Sequence, residues 1–193
     1  MGIAEGDLEE HTATSVAPMV VRQRLLTGGL LEMGEPTAPV SLLLFTNHFC
    51  SYCREFHETY LPRLLSEYMQ AGKLRVVTVP FSLKKYPESA TAAITFLCGA
   101  QQGKGREMND LLFQGSMSNV GVQKRLADLG LDAKKLQECL RGPDAEQILV
   151  AQKNMADALG VTLVPTFFLN GEKTVGLPTY ADLRGMIDTG LAE

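Results

Sequence analysis

Cys50-Ser51-Tyr52-Cys53 sets two thiols three residues apart, directly after an apolar run at 40–45 and before a stretch with helical periodicity. Only a thiolate attacks a disulfide, so the chemistry turns on how easily the first sulphur ionises. A helix start favours ionisation, because its unpaired backbone N–H groups and its macrodipole both attract an anion, and Cys50 stands at that start. Cys53 falls about one turn further along the same face, within the roughly 5.5–6 Å between α-carbons that a disulfide prefers. The pair can therefore open and close with little backbone movement. The other readings of CxxC are a structural disulfide and half of a zinc site. Zinc would need two more ligands; His48 precedes the first cysteine and His57 lies a turn beyond the second, so no metal is expected.

A second signal lies far downstream, in Gly160-Val161-Thr162-Leu163-Val164-Pro165 followed by Thr166-Phe167-Phe168-Leu169-Asn170-Gly171. Thr166 to Leu169 reads as a buried strand and Asn170-Gly171 as a hairpin turn. Proline at the first position of a strand is permitted, because its missing N–H can face away from the ladder. His48 reads as a loop residue exposed by chance; the alternative is a protonated imidazole that steadies the Cys50 thiolate. Cys98 and Cys139 lie on apolar stripes, where a free cysteine behaves as a small buried hydrophobe. Phe49 and Phe81 could line an apolar surface around Cys50, with core packing the expectation for Phe81. The scattered methionines read as core filling.

The elements that must hold these residues follow from periodicity and punctuation. Residues 1–19 are polar, without apolar period, and read as a mobile leader. Residues 20–31 suit either an edge strand or a short helix, and Pro36 and Pro39 bracket a linker into the strand at 40–45. After Cys50 a helix carries Phe56, Tyr60, Leu64, Leu65 and Tyr68 at spacings of three and four; Pro62 should kink it by removing one ladder bond, and Gly72 should cap it. Residues 74–80 read as the next parallel strand of a βαβ unit. From 87 to 159 the patterns are helical, with stops at Gly130 and Gly142-Pro143 and a cap at Asp132. Thr179 with Asp182 resembles a capping box for a final helix ending near Gly190.

At 193 residues and 45% apolar content, the chain can bury a substantial core as one unit carrying an inserted subdomain. A net charge of −4 without a basic run argues against nucleic acid as a partner. Apolar stretches fall far short of the roughly 18 residues that a membrane helix needs. The first 18 residues are acidic and lack a signal-peptide pattern.

Together, CxxC at a strand-to-helix junction and Val-Pro before a β-hairpin resemble the thioredoxin fold, and the long gap between them resembles its DsbA-like branch. The likeness spans about 38–191 and includes Leu61-Pro62-Arg63-Leu64, Gln101-Gln102-Gly103-Lys104 and Gly160-Val161. It implies an α/β thioredoxin fold with an inserted helical domain: a first half with CxxC at 20–86, the insert at 87–159 and a second half at 160–193. It makes Cys50 the nucleophile, Cys53 the resolving thiol, and Val164-Pro165 a cis-proline loop whose backbone pairs with the substrate chain. Ser51 and Tyr52 would then face solvent and tune the potential and client contact, or simply pack the helix start. It further implies a structural Cys98–Cys139 disulfide, since DsbA-like proteins often join two such positions and four cysteines suit an oxidising compartment.

The resemblance implies a dithiol oxidase that forms disulfides in client proteins, with no cofactor beyond its own disulfide, a monomeric state and a membrane redox partner. It also implies an extracytoplasmic, periplasmic or cell-envelope location, with a signal or anchor that is not part of this sequence. Two departures matter. The position six residues before the first cysteine, where thioredoxin and many DsbA-like proteins carry a buried acid that helps move protons from the second cysteine, is Leu44 here, so proton transfer must use water or another group. The segment 45–50 and the tyrosine before Cys53 resemble the isomerases DsbC and DsbG, which makes an isomerase or reductase the alternative. Only about 38 residues precede the first central strand, where those isomerases carry a dimerisation domain. A non-catalytic binding module on the same fold is the remaining alternative.

Overall fold

The computed structural model describes residues 21–115 and 120–193, so the expected leader at 1–19 lies outside the described residues. Six strands form one mixed sheet in the order β1-β2-β4-β3-β5-β6: β1 Gln23–Leu26, β2 Leu30–Met33, β3 Val40–Thr46, β4 Leu74–Pro80, β5 Thr166–Leu169 and β6 Glu172–Val175. Only β3 and β4 run parallel, as a crossover through a helix requires; the other neighbours are antiparallel. Residues 20–31 thus hold one strand and the start of a second, joined at Gly28-Gly29. Gly29 has φ +74°, and a Cβ there would stand 2.5–2.6 Å from Ile148 and Leu97, so the turn seats its bare backbone on the helical region.

The helix after Cys50, α1, begins at Ser51–Glu55 and runs on through a π turn at Phe56–Tyr60, an α turn at Leu61–Leu64 and a second π turn at Leu65–Met69. Pro62 therefore acts differently from the expected simple kink. Leu61 N–H reaches back five residues to the Phe56 carbonyl, and Pro62 opens a fresh α turn where its missing N–H is tolerated. Gly72, φ +67°, ends the run.

Among the described residues, five helices lie between β4 and β5: α2 Ser89–Gln101, α3 Gly105–Phe113, α4 Val120–Asp128, α5 Ala133–Arg141 and α6 Pro143–Ala158. The C-terminal helix α7, Tyr180–Gly190, follows β6. Alternation along β3 divides the core. Leu42 and Leu44 join the cluster built with Phe56, Leu64 and Phe96, whereas Phe45 packs with Val79, Phe81, Ala156 and Val161. Both sides of β3 are buried, which explains its continuous apolar run, and its C-terminal end delivers the chain to Cys50. Of the described residues, no helix is long and apolar enough to cross a membrane.

Candidate active site

Asn47 shapes the approach to Cys50. Its Oδ1 accepts from the Phe49 N–H at 2.9 Å, and its carbonyl accepts from the Cys50 N–H at 3.1 Å. Its Nδ2 donates to the Phe81 carbonyl and to Ser89 Oγ, tying the turn to the end of β4 and to α2. The chain thereby enters α1 with Cys50 as the N-cap in an extended conformation, φ −90° and ψ 124°. Cys50 and Cys53 are free and buried, and they cluster with Phe113, against which Val164 packs. The Cys50 thiol donates to the Val164 carbonyl at 3.5 Å, and Val164-Pro165 is a cis peptide. The two sequence signals thus meet in space.

The two sulphurs differ sharply in acidity. A hydrogen bond from the Cys53 thiol, opposed by burial, lowers Cys50 to about 6, and the backbone N–H groups of Cys53 and Tyr52 and the Lys85 ammonium add to the effect. Those N–H groups face the sulphur without completing hydrogen-bond geometry, so the helix start acts mainly through its field. Cys53 moves the other way: its interaction with Cys50 and its own burial push it well above an ordinary thiol. Near neutral pH the reduced pair therefore holds one thiolate, on Cys50, with the proton kept on Cys53.

His48 corrects the sequence reading on both counts. It is 3% exposed rather than a surface loop residue, and burial lowers it to about 4, so it is neutral where a protonated stabiliser would be needed. Its Nε2 bonds Asn109 Oδ1 at 2.9 Å, and its ring lies 4.8 Å from that of Phe113. Tyr52 is 60% exposed and Ser51 is exposed, both at the rim. Phe81 is core, while Phe49 is half-buried beside Tyr86. Cys98 and Cys139 are joined as a disulfide linking α2 to α5, separate from the Cys50 site.

Sequence reasoning weighed His57 only as a zinc ligand and passed over the other polar residues beneath Cys53. His57, on the first π turn, meets Asp110 at 2.8 Å and Asn109 at 3.3 Å, both from α3. Nothing local marks Asn109 or Asp110, because their role depends on how the helical region docks. Of the described residues, no group of three or more His, Cys, Asp or Glu side chains is placed to hold a metal.

The sequence model of the family described as Thioredoxin matches residues 27–189. Among curated proteins, a probable disulfide bond formation protein D of Bacillus anthracis is 23% identical over 173 residues, covering 83% of this chain and 77% of that protein. Among solved structures, alpha-DsbA1 of Wolbachia pipientis superposes with a TM-score of 0.73 at 22% identity, covering 83% of this chain and 90% of its own. Oxidised BdbD of Bacillus subtilis does so with a TM-score of 0.71 at 16% identity, covering 90% and 98%. With the family match spanning most of the chain and a helical insert between the CxxC half and the Val-Pro half, the chain belongs to the thioredoxin family, in its DsbA-like architecture.

Proposed function

We propose that this thioredoxin-family thiol–disulfide oxidoreductase works as a dithiol oxidase on client proteins. The observation that carries the reading is the asymmetry of the pair, with Cys50 lowered to about 6 and Cys53 raised. In the oxidised enzyme a client thiolate attacks the Cys50 sulphur, and Cys53 departs to leave a client–Cys50 mixed disulfide. The client's second thiolate then displaces Cys50, which leaves readily because its thiolate is stabilised. The same stabilisation of the reduced enzyme makes its disulfide more oxidising. The Val164 carbonyl beside the Cys50 sulphur offers a backbone acceptor to an extended client segment.

The relatives named for disulfide bond formation support this direction. An extracytoplasmic location fits, because a dithiol oxidant persists where glutathione does not reduce its products, and the Cys98–Cys139 disulfide belongs to the same compartment. A membrane redox partner would then return the reduced pair to the disulfide. Equilibration in glutathione buffers should give a reduction potential far above thioredoxin's value of about −270 mV, toward the −120 mV or so of a strong oxidant. A value near −270 mV would assign the protein to reduction or isomerisation instead. Cys50→Ser should abolish oxidation of a dithiol peptide; an unchanged biological function in that variant would point to a docking module.

A further inference from the structure

Closing the Cys50–Cys53 disulfide requires Cys53 to lose its proton, and its burial, which persists once Cys50 is bonded to a partner, resists that loss. Position 44 supplies no carboxylate for this, being a buried leucine. Polar side chains nevertheless gather behind the sulphur. A cavity of about 10 Å³ is lined by Cys53, Thr46, Thr78, His57 and Asn109 together with Leu44, Phe113 and other apolar groups. That is close to the room one water requires, with several polar partners on its wall.

A directional chain leads outward from this cavity. The neutral His48 donates through Nε2 to Asn109 Oδ1, Asn109 Nδ2 donates to His57 Nδ1, and His57 Nε2 donates to Asp110 Oδ1. Phe113 stacks on the His57 ring at 4.4 Å and 21°, fixing its plane, while the Asp110 side chain is 46% exposed. The imidazole thus stands between a buried sulphur and a solvated carboxylate. Of the described residues, the titratable groups facing it are Cys53 across the cavity, Asp110, and His48 beyond Asn109.

We propose that His57, oriented by Asp110, is the proton acceptor for Cys53 when the Cys50–Cys53 disulfide closes, and the donor when it opens. The inference rests on the exchange chemistry proposed above. In closure, the Cys53 proton passes through the cavity to His57 Nδ1, displacing the Asn109 N–H, and the imidazolium faces the Asp110 carboxylate. The Cys53 thiolate attacks the Cys50 sulphur of a mixed disulfide; the Cys50–Cys53 bond forms, the bond from Cys50 to the partner sulphur breaks, and the partner leaves as a thiolate with the electron pair. Opening runs in reverse.

Reaction of the reduced protein with Ellman's reagent in a stopped-flow instrument separates the two events, because the first thionitrobenzoate released reports attack by Cys50 and the second reports closure by Cys53. His57→Gln should keep the first phase and slow the second on the order of 10²-fold at pH 7, with the deficit shrinking toward pH 9 as Cys53 finds other bases. Asp110→Asn, at a half-exposed carboxylate, should slow the second phase less but in the same pH-dependent manner, and it carries the test if His57→Gln does not fold. A second phase at the wild-type rate from pH 6 to 9 in the folded variants overturns the proposal, as does a slowing that is the same at every pH. Failure of the wild-type protein to show a first phase would instead defeat the exchange reading.

Discussion

At Cys50 the balance lies between burial, which opposes charge, and the Cys53 thiol with the helix-start N–H groups, which favour it; the second set wins and the thiol falls to about 6. Alkylation of the reduced protein by iodoacetamide should therefore rise about tenfold per pH unit below 6 and level off above it, whereas an ordinary thiol would level off only near 8.5. The same shift bears on stability. Between about 6 and 9 the unfolded thiol holds its proton and the folded one does not, so the stability of the reduced protein grows as pH rises through that window and is lost as pH falls back through 6. Cys50, Cys53 and Pro165 were legible because their chemistry is written into local motifs. His48 was not, since a loop histidine has no sequence signature for burial, and only the docking of α3 brings Asn109 and Phe113 against it.

Among the elements, those fixed by near neighbours were readable and those fixed across the sheet were not. Asp132 accepts from the N–H groups of Lys134 and Lys135 at 2.9 and 3.1 Å, and Thr179 Oγ1 accepts from Asp182 N–H at 3.2 Å, as their spacing predicts. Asn170 and Gly171 turn β5 into β6 with φ of 46° and 94°, as that dipeptide predicts. The β1–β2 hairpin gave a weaker signal. Glu32 looks misplaced among apolar residues, yet in the fold its buried carboxylate is held by Arg24 across the hairpin and by Arg75 on β4. Sequence distance hides that compensation. Likewise, Pro62 announces a break, but the π turns that accommodate it depend on how α1 lies on the sheet. Because the Thr179 cap is local and exposed, Thr179→Ala should cost about 1 kcal/mol in urea denaturation without changing the Cys50 alkylation profile. No loss of stability would mean that α7 is held well enough by the packing of Tyr180, Leu183 and Ile187 and by the Tyr68 hydroxyl on Asp188.

Across the whole molecule, the helical insert is part of the active centre rather than an appendage. It supplies Asn109 and Phe113 to the cavity under Cys53, receives the Asn47 amide through Ser89, and holds the β1–β2 turn through Gln152 Nε2, which donates to the Gly28 and Gly29 carbonyls. What fastens the insert should thus matter for stability more than for the acidity of Cys50, whose stabilising groups lie mainly on α1. The Cys98–Cys139 disulfide allows that separation to be tested. It spans 41 residues, so removing it should free chain entropy in the unfolded state worth about 4 kcal/mol in the loop-closure treatment, within a common range of about 2–4. A Cys98→Ala, Cys139→Ala double variant should therefore lose stability of that order in urea denaturation while its Cys50 alkylation midpoint stays near 6. If the midpoint moved toward 8.5 as stability fell, the acidity of Cys50 would depend on the packing of the insert, and the Cys53 thiol with the helix start could not account for it on their own.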